Sequence, residues 1–288
     1  MLFRSPLNLR RFNIRNHRKL FICDQRIAFI GGFNIAPEWE GNGVTRGWRD
    51  LGLQIEGPLA RELSASFEAM LERADFRHKR FIRLRRRPGR HAVPDPAGEL
   101  LLSGPGRGRS PIKLALRRDL EQARTVQIIA AYFLPPLRLR RALSRVARRG
   151  GRVQLILPGK SDVPLIRLAA HSLYQRFLRS GVEIYEYQPQ ILHTKLVIVD
   201  SAAYAGSSNL DTRSLNINYE LLVRASDDRL VTEAREIFAD HLSLSRPVHR
   251  MQWRKSRTLW NKLRERLAYL FFAKLDPYVA RRQWNALP

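Results

Sequence analysis

One cysteine, Cys23, stands in 288 residues. A single thiol makes no intrachain disulfide and cannot build a cysteine-based zinc site. Long apolar runs are missing too. The nearest candidate, Leu267 to Leu275, is short and contains Lys274, well below the roughly 20 uncharged residues of a spanning helix. The opening residues, Met1-Leu-Phe-Arg-Ser-Pro6, hold no apolar stretch of signal-peptide length, so no export signal is expected. Acid is scarce, with 26 Asp and Glu against 52 Lys and Arg and a net charge of +26. Lysine is scarce among the cations, 8 against 44 arginines. Such an excess suits a polyanion, whether nucleic acid or an anionic lipid surface. It equally suits an arginine-rich composition with no partner behind it. Apolar residues are present in ordinary measure, 44%, which excludes disorder and supports one large or two ordinary domains.

Comparing the chain with itself is the informative step. His17-Arg-Lys19-Leu-Phe-Ile-Cys-Asp24 recurs as His193-Thr-Lys195-Leu-Val-Ile-Val-Asp200, giving H-x-K-x4-D twice. Composition alone predicts about 0.008 copies of that pattern. The likeness continues downstream, where Gly31-Gly32-Phe-Asn34 answers Gly206-Ser207-Ser208-Asn209. Asp50-Leu-Gly-Leu-Gln-Ile55 then answers Glu220-Leu-Leu-Val-Arg-Ala225 as a short strand. A helix follows each, opened by Pro58 in one copy and Asp228 in the other. The chain is a duplication.

Lys195-Leu-Val-Ile-Val199 reads as a strand buried on both faces. Side chains alternate across a strand, so the His and Lys of each motif, two residues apart, point the same way. Ammonium beside imidazole makes a phosphate site: Lys supplies charge and donors, and His can attack phosphorus or carry a proton near neutral pH. The second half alternates strands (Thr125–Ala131, Arg152–Leu157, Val182–Tyr187) with helices (Leu137–Arg149, Pro164–Arg179). That order implies an α/β fold on a parallel or mixed sheet. The expected division is a first half over 1–82, a basic Pro/Gly linker over 83–110, a second half over 111–245 and a basic amphipathic tail over 246–288. In the linker, Arg83-Leu-Arg85-Arg86-Arg87 reads either as a phosphate contact or as a solvated charge run.

The paired motifs, with Gly31-Gly32-Phe-Asn34-Ile, Gly47-Trp48-Arg49-Asp50, Ser207-Ser208-Asn209-Leu-Asp211, Arg213-Ser-Leu-Asn216 and Tyr219-Glu220, resemble the phospholipase D superfamily. Within it they look most like bacterial cardiolipin synthases. The resemblance implies two α-β-α halves about a pseudo-twofold axis, sharing one phosphate. It implies His17 as nucleophile forming a phosphohistidine and His193 as general acid and base, though the symmetry permits the reverse. Lys19, Lys195, Asn34 and Asn209, with Ser207, would hold the phosphate oxygens. Asp50 and Glu220 are placed to orient the histidines, as the third member of a triad does. Asp24 and Asp200 belong to the motifs in a structural role. No metal or other cofactor is expected, because two Lys and two His already neutralise the phosphate.

The implied reaction is phosphatidyl transfer, making cardiolipin from phosphatidylglycerol. The alternatives are a phosphodiesterase acting on nucleic acid, for which no base-reading module is visible, and an inactive membrane-binding fragment. Expected partners are anionic phospholipids (phosphatidylglycerol, cardiolipin) and a membrane surface, with no specific nucleic acid. The expected place is the cytoplasmic side of a bacterial cell membrane. In the tail, Trp260, Leu263, Leu267, Leu270 and Phe271 recur at helical spacing among Lys255, Arg257, Lys262, Arg264 and Arg266. Such a helix suits an anionic interface or packs its stripe on the core. One feature departs from a full duplication. About 68 residues separate the second half's first strand, near Val126, from His193, whereas 16 precede His17. A truncated first half is therefore expected, with a misassigned start, a fragment or a partner chain completing it.

Overall fold

The computed structural model of the protein describes residues 15–74, 91–105, 110–275 and 277–278. In the first half, strands β1 (Leu20–Cys23) and β2 (Ile27–Gly31) form an antiparallel hairpin, and β3 (Gly52–Glu56) adds to β2. Helix α1 (Pro58–Ala74) packs on this three-stranded sheet. There follow β4 (His91–Asp95), β5 (Gly98–Ser103), α2 (Pro111–Gln122), β6 (Thr125–Ala130), β7 (Phe133–Leu134), α3 (Leu137–Arg148), β8 (Arg152–Pro158), α4 (Pro164–Arg179) and β9 (Glu183–Tyr187). The second motif lies at the start of β10 (Lys195–Val199). It is followed by β11 (Ala202–Gly206), β12 (Leu210–Asp211), α5 (Thr212–Asn216), β13 (Glu220–Ala225) and α6 (Asp228–Ser243). The tail contributes β14 (Ser245–Pro247), α7 (Arg250–Lys255) and α8 (Leu259–Leu270).

The large sheet is mixed, in the order β14-β9-β8-β6-β10-β11-β13-β5-β4. Strands β6, β8 and β9 run parallel, joined by α3 and α4, and β10 lies antiparallel to β6 and β11. Apolar residues on alternate sides of β10 reach two different cores. Val197 and Val199 face the layer of α2, α3 and α4, while Leu196 and Ile198 face α6. This explains a strand apolar at every position after Lys195. Local signals set the helix ends. Pro164 begins α4, and Gly181 at φ +88° follows its end. Asp227 caps α6 by accepting from Arg229 and Leu230 N–H, one residue before the expected Asp228.

The first-half sheet lies against the large sheet, sharing a core of Ala28, Ile30, Leu63, Leu100, Leu102 and Leu221. The fold is thus two related α/β units on one body, with β1 and β2 answering β10 and β11. The equivalence is incomplete. In the second half β6 pairs with the outer side of β10, whereas β1 is an edge of the described first-half sheet.

Residues 91–103 are not linker, contrary to the division drawn from composition. They form the β4–β5 hairpin, paired to β13 from Glu220↔Ser103 to Ala225↔Gly98. Pro94, Pro96 and Gly98 within it, and Gly104 just after it, gave the segment its linker-like composition. Yet Leu100, Leu101 and Leu102 are fully buried, the middle one toward α2 and its neighbours toward the first half. The Arg83–Arg87 run lies outside the described residues.

Leu101→Ala tests this placement. It removes a side chain 1% exposed and is expected to lower stability by about 3 kcal/mol in denaturant unfolding. A loss of less than about 0.5 kcal/mol would place 98–103 outside the core.

Candidate active site

The two motifs meet through a reciprocal exchange of backbone bonds. His17 N–H donates to Tyr219 O at 3.0 Å, and Tyr219 N–H donates to Arg15 O at 3.0 Å. In mirror fashion, His193 N–H donates to Arg49 O at 2.7 Å, and Arg49 N–H to Ile191 O at 2.9 Å. Tyr219 and Arg49 each precede the carboxylate of their own half, so the exchange carries each carboxylate to the histidine of the other half. His17 Nδ1 lies 3.1 Å from Glu220 Oε2, and His193 Nδ1 lies 2.7 Å from Asp50 Oδ2. The lysines repeat the symmetry: Lys19 Nζ donates to His17 O at 3.0 Å and Lys195 Nζ to His193 O at 2.6 Å. This crosswise partnership is absent from the spacing of the motifs.

The surroundings of the two carboxylates solve one problem in two ways. Buried carboxylates need donors. Glu220 accepts from Ser207 Oγ at 2.6 Å, and that oxygen in turn accepts from Leu221 N–H. Gly32 answers Ser207 in the first half and offers no hydroxyl. Its place beside the site is filled by Asp50 and Lys195, because a Cβ there would stand 2.5 Å from Asp50 Oδ1 and 2.8 Å from Lys195 Nζ. The donor to Asp50 is Trp39 Nε1 at 3.0 Å, carried on a short 3₁₀ turn, Pro37–Trp39. Trp39 and Trp48 both stand with ring centroids 5.4 Å from that of His193. Tyr132, hydrogen-bonded to Asp162, closes a third side at 6.4 Å.

Burial pushes the carboxyls of Glu220 and Asp50 up. The opposing charge and hydrogen bonds of His17, Ser207 and Lys19 on Glu220, and of His193, Lys195 and Trp39 on Asp50, outweigh it. Both are held below the ordinary carboxylate value. Burial pushes Lys195 down to about 8, against the pull of Asp50. It lowers Lys19 as well. His193 falls below the ordinary imidazole value, first through burial and then through the Lys195 charge, with Asp50 opposing. The Lys195 ammonium lies 3.0 Å from Nδ1 and 3.4 Å from Nε2 of that ring.

The remaining residues singled out in the sequence divide. Asn209 is buried, and its side-chain oxygen has no partner among the described residues. Asn34 is exposed on the loop after β2, whereas its counterpart Asn209 is buried. Ser207, expected at the phosphate, turns its hydroxyl to Glu220 and supports that carboxylate. Asp200, at φ +47°, accepts from Arg124 and Thr125 N–H at the opposite end of β10, tying the hairpin to the start of β6. Asp24, at φ +49°, occupies the same turn of the first hairpin and is exposed. Sequence reading missed Trp39 and Tyr132. Trp39 gave one signal, a tryptophan in a Gly- and charge-rich loop between Asn34 and Asp50. Among the described residues, no group of three His, Cys, Asp or Glu side chains is placed to hold a metal ion.

Residues 116–242, spanning the second motif, match the family described as cardiolipin synthase, PLD-like domain. The chain is 33% identical over 289 residues to cardiolipin synthase A of Pectobacterium carotovorum, covering 94% of this chain and 56% of that one. It is 33% identical over 268 residues to cardiolipin synthase B of Escherichia coli, covering 92% and 65%. The second half thus matches a PLD-like domain, and the chain as a whole is similar to these cardiolipin synthases. Phosphatidylserine synthase of Haemophilus influenzae shares the fold, with a TM-score of 0.65 at 14% identity over 92% of this chain and 70% of that one. The chain therefore spans about half to two-thirds of the length of these curated cardiolipin synthases. Within this phospholipase D-like framework, the crossed carboxylates are what bring two half-sites to one point.

Two outcomes follow. In imidazole proton NMR, His193 titrates below the ordinary value. Asp50→Asn moves it lower still, because the carboxylate is the group that favours the imidazolium. An upward move contradicts the pairing. Gly32→Ala forces a methyl group against Asp50 and Lys195 and abolishes phosphate-ester turnover while the melting temperature falls little. Full activity would show that the two groups do not meet there.

Proposed function

We propose that the protein is a phosphatidyltransferase that makes cardiolipin from phosphatidylglycerol and a second phospholipid, through a covalent phosphohistidine. The observation that carries this reading is the crossed pairing, which puts two His-Lys pairs from different halves at one place. Similarity to cardiolipin synthases supplies the substrate class. In the first step His17 Nε2 attacks phosphorus. An N–P bond forms, the P–O bond to the departing glycerol breaks, and His193, which enters this step as the imidazolium with Nδ1–H on Asp50, gives that oxygen its Nε2 proton and becomes neutral. Burial, which lowers the affinity of His193 for its proton, suits it to give the proton up. In the second step His193 takes the proton of the acceptor hydroxyl, whose oxygen attacks phosphorus. The N–P bond breaks and His17 is restored.

Lys19, Lys195 and Asn209 hold the non-bridging oxygens, where fixed donors in a dry site lower the barrier most. Glu220 and Asp50 fix the ring tautomers from Nδ1 and leave Nε2 for the chemistry. Ser207 and Trp39 are positioning residues that act through those carboxylates. The substrate being lipid, the protein works at the cytoplasmic face of a bacterial membrane. No described helix is long and apolar enough to cross one.

Expression in a cardiolipin-deficient bacterium tests the reading. Cardiolipin is expected with the unaltered chain and not with His17→Ala or His193→Ala, each lowering turnover at least about 100-fold. In His193→Ala incubated with labelled phosphatidylglycerol, label is expected to accumulate on the peptide containing His17. Cardiolipin formed equally by both variants would refute the proposal. Cleavage of a labelled oligonucleotide without lipid turnover would make the protein a nuclease instead.

A further inference from the structure

Helix α8 is held to the body by one face and is apolar on the opposite one. Glu265 is buried and pairs with Arg257 at 2.8 Å. Arg257 lies over the Trp253 ring at 3.7 Å and donates to His171 of α4 at 2.9 Å. Ala268, Tyr269 and Phe272 pack on the core beneath α3 and α4. The orientation of α8 is therefore set by a buried polar latch and an apolar seam, and it is no loose tail. At 100° per residue, Trp260, Leu263, Leu267 and Leu270 all fall within about 40° of the direction opposite Glu265. They are 64%, 47%, 57% and 46% exposed. Arg264 and Arg266 flank this stripe, each about 100° from Glu265, and both are exposed. A soluble surface helix turns its apolar stripe inward. This one presents its stripe to the outside.

The helix also packs beside the first turn of α3, at the end of the sheet that carries the candidate site. Arg140, in the first turn of α3, stands over the Tyr269 ring at 5.4 Å. That turn follows the end of β6, where Ala130 pairs with Lys195. Leu137 and Leu165, opening α3 and α4 at the same end of the sheet, are exposed too. Charge identifies the occupant. Glu265 is the only acid in residues 250–275 and it is buried, while Lys262, Arg264, Arg266 and Lys274 are exposed. A second copy would bring these cations against their like, whereas anionic headgroups complement them.

We propose that α8 is the surface on which the protein docks to an anionic bilayer, its stripe inserted at the headgroup–acyl boundary and its flanking cations on lipid phosphates. The proposal rests on the phosphatidyltransferase reading only in taking a bilayer as the source of substrate.

The test is co-sedimentation with vesicles of phosphatidylglycerol and phosphatidylethanolamine, and with phosphatidylcholine vesicles as a neutral control. The unaltered protein is expected to bind the anionic vesicles, less at high salt, and to leave the neutral ones largely free. L263S/L267S is expected to lose binding by about tenfold or more with an unchanged melting temperature, since both side chains are already in solvent. Leu230→Ser, an exposed leucine of α6 on the other side of the sheet, is expected to bind like the unaltered protein. Cardiolipin formation in detergent micelles separates the two readings. If no product forms there but binding still falls in L263S/L267S, docking stands and the transferase reading falls. Equal binding by L263S/L267S and the unaltered protein overturns the proposal. So does failure of the unaltered protein to bind, or a dimer that the double substitution converts to monomer.

Discussion

The bond between each histidine and the carboxylate of the opposite half joins residues 203 positions apart in one case and 143 in the other. Neither half can orient its own imidazole. The loop that carries Asp50 must therefore lie against the second half. Arg49 reaches Asp240, Tyr187 donates to Gly43 O, and Gln190 to Thr45 O. These contacts hold the 36–50 loop where the backbone exchange of Arg49 with Ile191 and His193 can form. The leucine core shared by β2, β5, β13 and α1 does the same for the sheets. The candidate catalytic groups sit where the two units join, so the proposed chemistry draws on both halves.

Burying charges so densely is costly unless each has a partner. Asp50 and Glu220 have two lysines, two histidines, an indole N–H and a hydroxyl between them. The lysines, in turn, are desolvated enough that Lys195 is brought down to about 8. A phosphate diester, the substrate class proposed above, would bring a negative charge to a place already rich in fixed donors. The attraction acts in a low dielectric, where it counts for more than in water. Because the donors are placed before the substrate arrives, little reorganisation remains for the reaction itself.

Much of this was legible in the sequence because the signals were local. The spacing of His, Lys and Asp, the strand of β-branched residues after Lys195, and Pro164 and Gly181 bounding α4 all express chemistry within a few residues. What was illegible depends on packing between distant segments. The pairing of His17 with Glu220 is set by Tyr219 and its backbone bonds, and no spacing encodes it. Ser207 and Gly32 align as equivalents, yet one donates a hydroxyl and the other makes room, with Trp39 donating instead. Strand β5 was hidden by the prolines and glycines around it, although three leucines facing two cores are its real signature. Asn34 aligned with Asn209 but lies exposed, so alignment of the repeats did not fix equal burial. In the tail, periodicity gave the stripe but not its direction, which the buried Glu265 decides.

The shared phosphate site is tested most directly by a crystal structure with a phosphate-like oxyanion such as tungstate. The account predicts one anion within reach of Nε2 of both His17 and His193, with Lys19 and Lys195 on its oxygens and the two crossed carboxylate contacts intact. Two separate anions, one at each motif, or an anion held by one His-Lys pair alone, would contradict it.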